Sequence, residues 1–305
     1  MFKDEITFRD RLVTMGLDID AETHSKYLKL QSECNARARD ADVSPNNNQF
    51  ACAVYIAELL KPATKEKKIM LTMPPGEGKS RITVALLYLM LKKHVTSFTL
   101  LFSHEAIMEA DQISLLRLQT HWGIDIRYEV YEKDKEILAR KNEVLIMDEA
   151  DYLVLDMSYK PDPKFKYVVG LTATPLSNKD GAEEMLLANQ SYRICDSNVA
   201  ASFDPADELE VCTVAGFLER SNEAAKLVYT RDVDKVIALE QEGKDNGLKV
   251  RVDVTVMADL RSLTKDDLII VTKPALLRGF DYKSDAPAGI NLLMMSSVSS
   301  GRALL

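Results

Sequence analysis

The stretch at residues 73–80, Met-Pro-Pro-Gly-Glu-Gly-Lys-Ser, constrains this chain more than any other part of it. An apolar run at residues 69–72 precedes it and predicts a buried strand, and a second apolar run at residues 82–91 predicts a helix packed on a sheet. A strand, a glycine-rich turn, a Lys-Ser pair and a helix are together typical of a phosphate-binding loop. Backbone N–H groups of such a turn surround phosphate oxygens, and the helix N-terminus adds partial positive charge.

The residue types of this loop predict separate roles. Lys79 is expected to reach the terminal phosphates of a bound nucleotide, and Ser80 is expected to bind Mg²⁺. The strict pattern has an earlier glycine where this chain has Met73, so the match is Gly-x-Gly-Lys-Ser. A chance glycine-rich turn with an exposed lysine is the alternative, and the flanking strand and helix disfavour it. The remaining residues expected to contact the nucleotide here are Gly76, Glu77, Gly78 and Arg81.

A second chemical element, Asp-Glu-Ala-Asp at residues 148–151, follows the run at residues 143–147. Acidic residues at the end of a buried strand are costly unless they meet a cation. Asp148 is therefore predicted to hold Mg²⁺, largely through water, and Glu149 to orient or deprotonate an attacking water. The alternative is an acidic helix N-terminus, where Asp and Glu are favoured in any case. The phosphate loop upstream favours nucleotide hydrolysis.

Strands alternating with helices predict an α/β fold of doubly wound parallel sheets. The sequence divides into a helical N-terminal extension at residues 1–45, a first domain at residues 46–200 and a second domain at residues 201–305. Strands of the first domain are predicted at residues 69–72, 97–103, 125–131, 143–147 and 167–171. Those of the second are predicted at residues 209–214, 226–229, 248–252, 268–272 and 290–295.

The composition indicates the cellular compartment of the chain and the kinds of partner that it can bind. The chain has 305 residues, of which 46% are apolar and 28% charged, and no apolar run reaches the length of a membrane span. It lacks the apolar core of a signal peptide, and its four cysteines are scattered, which predicts a cytoplasmic or nuclear protein without a membrane partner. A net charge of −8 predicts that any binding of nucleic acid in isolation is weak and sensitive to salt.

Taken in order, these motifs resemble the motor core of superfamily-2, DEAD-box-like helicases and translocases over residues 46–305. The resemblance implies two RecA-like domains that bind ATP and Mg²⁺ between them and couple hydrolysis to movement on RNA or DNA. Gln49 stands where that family reads the adenine. The positions that resemble the family's nucleic-acid and coupling motifs are Ser103, His104, Thr172, Ala173, Thr174, Thr272 and Arg278, and Gly279 and Asp281 resemble nucleotide contacts.

The chain also departs from that family. The spacing from Thr272 to Arg278 is longer by one residue, and no Thr-Pro-Gly-Arg motif precedes the acidic box. The final arginine motif, Gln-x-x-Gly-Arg-x-x-Arg, would fall after Leu305. Because arginines of this kind speed phosphoryl transfer by about 10³–10⁵, we expect a chain that binds ATP and hydrolyses it slowly.

Two other functions stay open at this point. Met73 and Glu77 are similar to the phosphate loop of SecA-type protein-translocating ATPases, although the interval from Thr174 to Leu209 is too short for a preprotein-binding insertion. The chain could also be a hydrolysis-deficient, nucleotide-dependent switch or scaffold. The N-terminal extension is a candidate docking site for a protein partner.

Overall fold

The computed structural model divides the chain into two compact units, Met1–Ser202 and Phe203–Leu305. It describes residues 7–39, 43–61, 66–74, 78–132, 135–172, 191–197, 214–220, 223–230, 232–273, 282 and 284–295. Among these residues, no helix is long and apolar enough to span a membrane.

The described part of the first unit is built on a six-stranded sheet whose neighbouring strands are all parallel, in the order β3-β2-β4-β5-β1-β6. Helices cover the sheet, so its central strands are apolar along their length rather than alternating. The parallel register aligns the carboxyl ends of β1, β4 and β5 at one edge, with Thr72 opposite Thr172. The strands are β1 (Lys68–Thr72), β2 (Ser97–Phe102), β3 (Asp125–Val130), β4 (Val144–Asp148), β5 (Tyr167–Thr172) and β6 (Arg193–Asp196).

Four of the five α-helices described in the first unit begin at a residue whose side chain caps the helix. Asp20 caps α2 by accepting a hydrogen bond from the Thr23 N–H at 2.7 Å. A π-helical turn, Tyr152–Asp156, follows β4. The helices are α1 (Phe8–Thr14), α2 (Ala21–Ala38), α3 (Asn47–Leu59), α4 (Lys79–Lys92) and α5 (Glu105–Trp122).

The N-terminal helices α1 and α2 pack on the helices that flank the phosphate loop. Gln31 donates to Asn47 Oδ1 at 3.0 Å, and the Tyr88 hydroxyl on α4 donates to Glu33 at 2.8 Å. The N-terminal extension thus packs on α3 and α4 within the first unit.

A buried carboxylate organises the opposite edge of the first sheet. Glu143, with no exposed side-chain surface, immediately precedes β4. It accepts hydrogen bonds from Thr99 Oγ1 at 2.7 Å, from the Arg140 N–H at 2.7 Å and from Arg127 at 3.3 Å. Although burial alone would raise the pKa of Glu143, these donors and charges lower it below its ordinary value. The carboxylate is charged and ties β2, β3 and β4 together.

Replacing Glu143 with glutamine should destabilise the first unit by about 2–4 kcal/mol, because an amide NH₂ would face the hydrogen-bond donors and the buried negative charge that pairs with the partly exposed Arg127 and Arg140 would be lost. The measurement is tryptophan fluorescence during urea unfolding. It reports on the first unit, because the single tryptophan of the chain, Trp122, is buried there. Glu129→Gln is the matched control, since Glu129 lies 3.8 Å from the same Arg127 but is partly exposed. We expect it to cost less than about 1 kcal/mol. Equal effects of the two substitutions would contradict this role for Glu143.

The described part of the second unit contains a four-stranded parallel sheet in the order β10-β7-β9-β8. Its core includes Val228, Leu239, Leu268 and Ile270. The elements are α6 (Val214–Arg220), β7 (Ala225–Tyr229), α7 (Val233–Asp245), β8 (Lys249–Val252), α8 (Met257–Leu260), β9 (Asp267–Val271) and β10 (Ile290–Met294).

The α/β class with parallel sheets, predicted from the alternation of strands and helices, is confirmed in both units. One predicted strand needs correction. Residues 209–213 lie outside the described residues, and Val214, predicted to end that strand, begins helix α6. The strand β6 was not predicted at all.

Candidate functional site

Three charged side chains meet at the carboxyl edge of the first sheet. Lys79 begins α4 shortly after β1, Asp148 ends β4, and Glu149 follows it. The Lys79 ammonium forms an ion pair with Glu149 Oε1 and lies 3.5 Å from Asp148 Oδ1. The exposed fraction of the side chain is 16% for Lys79, 4% for Glu149 and 19% for Asp148, so this contact is largely shielded from water. The structure therefore brings together the three residues that the sequence assigned to catalysis.

The charges in this cluster shift one another. Burial alone would lower the pKa of Lys79, but Asp148 and Glu149 raise it above its ordinary value, so the lysine is charged. Burial raises the pKa of Glu149, and the Lys79 charge opposes that rise without cancelling it. A carboxylate with a raised pKa is a stronger proton acceptor than an exposed glutamate.

Glu149 also has an unusual backbone. Its φ of +47° lies in the left-handed region, which costs a residue with a side chain about 1–3 kcal/mol. Its carbonyl accepts the Leu153 N–H at 3.2 Å, so the turn leads into the following helical segment. This turn directs the buried carboxylate to Lys79, and strain of this kind is concentrated at functional sites.

Gly78 joins the phosphate loop to α4 and has a backbone conformation that favours glycine. Its φ is +87°, and an added Cβ would lie 2.4 Å from Gln49 Nε2. It is the N-cap of α4 and has no side chain to cap that helix, and the fully described first turn contains no acidic residue. The partial positive charge of this helix end is therefore not offset by a residue of its own first turn.

Gln49 is fixed beside this loop by a capping box at the start of α3. Its Oε1 accepts the Asn46 N–H at 2.9 Å, and its own N–H donates to Asn46 Oδ1 at 2.9 Å. The sequence predicted that Gln49 reads an adenine; the structure places its amide against Gly78.

Ser80, the predicted metal ligand, contacts a residue that sequence reasoning missed. Its hydroxyl donates to Asp111 Oδ1 on α5 at 2.9 Å. Beside them is a cavity of about 10 Å³, lined by Ser80, Thr83, Leu100, Leu101, Phe102, Asp111, Ile146 and Asp148. That volume accommodates about one water molecule. An aspartate within an amphipathic helix is ordinary in sequence, so only the fold brings Asp111 to Ser80.

A buried hydrogen bond links the acidic segment to the next strand. Thr172 Oγ1, at the end of β5, donates to Asp151 Oδ1 at 2.6 Å, and neither residue has exposed surface. The Thr172 carbonyl accepts the Met73 N–H at 3.0 Å. Thr172, predicted to be a coupling residue, thus contacts both the start of the phosphate loop and the acidic box.

Other predicted site residues lie farther from this cluster or in the second unit. His104 caps α5, its Nδ1 accepting the Ala106 N–H at 3.2 Å, and the half-buried Ser103 precedes it after β2. Arg81 is exposed in the first turn of α4. In the second unit, Thr272 donates through its N–H and Oγ1 to Asp253 at 2.7 and 2.6 Å. The predicted residues outside the described part of the chain are Gly76, Glu77, Ala173, Thr174, Arg278, Gly279 and Asp281.

Comparisons with known proteins give likenesses of structure alone. No family model matches the sequence, and no curated protein matches it. The chain is similar to the structure of S. cerevisiae Dbp5 bound to RNA and ADP BeF3, with 11% identity and a TM-score of 0.49 over 85% of this chain and 89% of that one. It is also similar to the Sulfolobus solfataricus SWI2/SNF2 ATPase core in complex with double-stranded DNA, with 13% identity and a TM-score of 0.38 over 74% of this chain and 76% of that one.

Because the identities are below 25% and the TM-scores below 0.5, neither likeness carries a functional argument. The chemistry of the site rests on its own residues.

The residues present fit a nucleotide carrying Mg²⁺. Lys79 supplies a charged hydrogen-bond donor, and Gly78 leaves the N-terminus of α4 without a side-chain cap. Asp148 and Ser80 supply oxygen ligands of the kind that Mg²⁺ prefers. Mg²⁺ in nucleotide sites typically takes one or two carboxylates together with phosphate oxygens and water. The site can therefore bind anionic phosphates at Lys79 and a cation at Asp148 and Ser80.

Proposed function

We propose that the first unit binds ATP with Mg²⁺ at this edge and hydrolyses it, as an ATPase of the helicase or nucleic-acid translocase type. The observation that carries the proposal is the buried contact of Lys79 with Glu149 and Asp148 beside the start of α4. Phosphoryl transfer to water needs a positive charge for the phosphates, a carboxylate for the metal and a carboxylate that accepts a proton. Lys79, Asp148 and Glu149 match these three needs.

Lys79 has two alternative partners in this proposal. Without nucleotide it neutralises Glu149. With ATP it moves to the terminal phosphates, where its charge offsets the negative charge of the reacting group. The same movement releases Glu149, whose raised pKa suits it to take a proton from the attacking water. Mg²⁺, held by Asp148 and Ser80, would neutralise charge on the phosphate oxygens.

The contact of Asp151 with Thr172 would transmit the state of the nucleotide. Asp151 lies two residues after Glu149, and its carboxylate accepts the Thr172 hydroxyl. A shift of the acidic segment when Lys79 leaves Glu149 would reach the end of β5 through this buried bond. We propose that this link couples hydrolysis to a change of grip on RNA or DNA.

Steady-state ATP hydrolysis with RNA, DNA or an unfolded polypeptide tests the proposed class. We expect slow basal turnover that RNA or DNA increases at low salt and that added salt suppresses, because the net charge of −8 opposes nucleic-acid binding.

Stimulation by the polypeptide alone would contradict the nucleic-acid proposal and favour a SecA-like function. ATP binding without turnover under every condition would contradict the motor proposal. It would favour a nucleotide-dependent switch, in which Lys79 keeps Glu149 engaged.

A further inference from the structure

We propose that Asp111 on α5 is a positioning residue that prepares Ser80 to bind Mg²⁺. The inference rests on the proposed function, because it concerns the metal of the same nucleotide site. It adds a residue from a different helix, one that neither the phosphate loop nor the acidic box contains.

The contact between the two side chains has a definite direction. Ser80 Oγ is the donor and Asp111 Oδ1 the acceptor, at 2.9 Å. A serine hydroxyl has one hydrogen and two acceptor lone pairs, and an ionised aspartate can only accept. With its hydrogen directed at Asp111, Ser80 keeps its lone pairs available to a cation. A freely rotating hydroxyl would lose this orientation.

The cavity beside this contact has the position and size for the metal. It is lined by Ser80, by Asp111 and by Asp148, the predicted metal carboxylate, and its volume of about 10 Å³ accommodates about one water molecule or ion. The remaining wall comes from Thr83 on α4 and from residues of β2 and β4, including Phe102 and Ile146. Asp111 and Asp148 therefore line the same small cavity.

Asp111 would act on the metal in two ways. A hydrogen bond from a ligand to a carboxylate makes the ligand oxygen a better electron donor, and such supporting groups typically change metal affinity by about 10–100-fold. Its negative charge would also lie beside the cation, but the contact between Ser80 and Asp111 is exposed to solvent, so this direct Coulomb attraction is the smaller of the two effects. Both effects favour Mg²⁺ over an empty site and leave metal-free nucleotide binding almost untouched.

The test is a Mg²⁺ titration of nucleotide binding, followed with a fluorescent, non-hydrolysable ATP analogue. We expect Asp111→Asn to raise the Mg²⁺ concentration for half-maximal binding by about tenfold or more. The affinity for the analogue in excess EDTA should stay within about twofold of the unsubstituted protein, because Asp111 does not act on phosphates. Glu109→Gln removes the same charge from an exposed position of α5 and should change neither quantity.

Two further variants separate positioning from a general structural effect. Ser80→Ala should raise the half-maximal Mg²⁺ concentration, and adding Asp111→Asn to it should raise that value little further, since Asp111 acts through Ser80. Asp111→Glu keeps the charge and should restore part of the loss.

Each other outcome has a distinct meaning. Equal weakening with and without Mg²⁺, or an unchanged Mg²⁺ requirement in Asp111→Asn, would overturn the role of Asp111 while leaving the proposed function intact. If the unsubstituted protein binds no ATP analogue at any Mg²⁺ concentration, the proposed function fails, and the inference fails with it.

Discussion

Replacing Lys79 with alanine should weaken ATP binding by about 100-fold or more, equivalent to about 2.7 kcal/mol. The substitution removes the charged donor for the terminal phosphates. It also leaves Asp148 and Glu149 without the ammonium that now lies between them, so two carboxylates would face the incoming phosphates. Loss of one partner of a shielded charge pair typically costs about 2–5 kcal/mol. Isothermal titration calorimetry with ATP and Mg²⁺ measures the change directly.

Lys92→Ala is the matched control for this experiment. Lys92 belongs to the same helix but lies at its other end, where it pairs with Glu33 at 2.9 Å with both side chains more than a third exposed. We expect Lys92→Ala to leave ATP affinity within about twofold and to lower stability by less than about 1 kcal/mol. If Lys79→Ala and the unsubstituted protein bound ATP with equal affinity, the nucleotide would not bind at Lys79.

Replacing Glu149 with glutamine should lower the turnover number for ATP by about 10²–10⁴-fold while ATP binding persists. Glutamine has nearly the same shape and can still accept a hydrogen bond from Lys79, but it cannot take a proton from water. Single-turnover hydrolysis and a binding titration on the same sample separate the two effects.

The pH dependence of hydrolysis gives this residue a second signature. Turnover requires the deprotonated carboxylate, and the pKa of Glu149 is above that of an ordinary glutamate. On acidification, activity should therefore fall at a higher pH than an exposed glutamate would give, and the Glu149→Gln variant should lack this decline. Glu136→Gln, at an exposed position, should retain both the rate and the profile. A Glu149→Gln variant with full turnover would exclude Glu149 as the base.

Much of the fold follows from local patterns in the sequence. β1, β4 and β5 are buried on both faces, so they read as continuous apolar runs that only a covered parallel sheet accommodates. The phosphate loop and the acidic box then place Lys79, Asp148 and Glu149 at strand ends, and the parallel register brings those ends to one edge. The placement of Lys79 and Glu149 at one edge of the sheet thus follows from these patterns, whereas the ion pair between them was not predicted.

Other features depend on contacts that no short pattern encodes. Asp111 meets Ser80 across 31 positions of sequence, because α5 begins after β2 at the same carboxyl edge of the parallel sheet where α4 begins after β1. β6 has only four residues, and Ile194 opposite Met70 gives too short an apolar signal to predict a strand. The left-handed backbone of Glu149 is imposed by its surroundings, since its own side chain disfavours that conformation. These features arise from tertiary packing.

The most direct test of the central claim is calorimetric titration of the unsubstituted chain with ATP, once with Mg²⁺ and once with excess EDTA. The site predicts saturable binding of about one nucleotide per chain that Mg²⁺ strengthens, because Lys79 binds phosphates while Asp148 and Ser80 bind the metal. The absence of saturable ATP binding, or binding that Lys79→Ala leaves unchanged, would contradict the account.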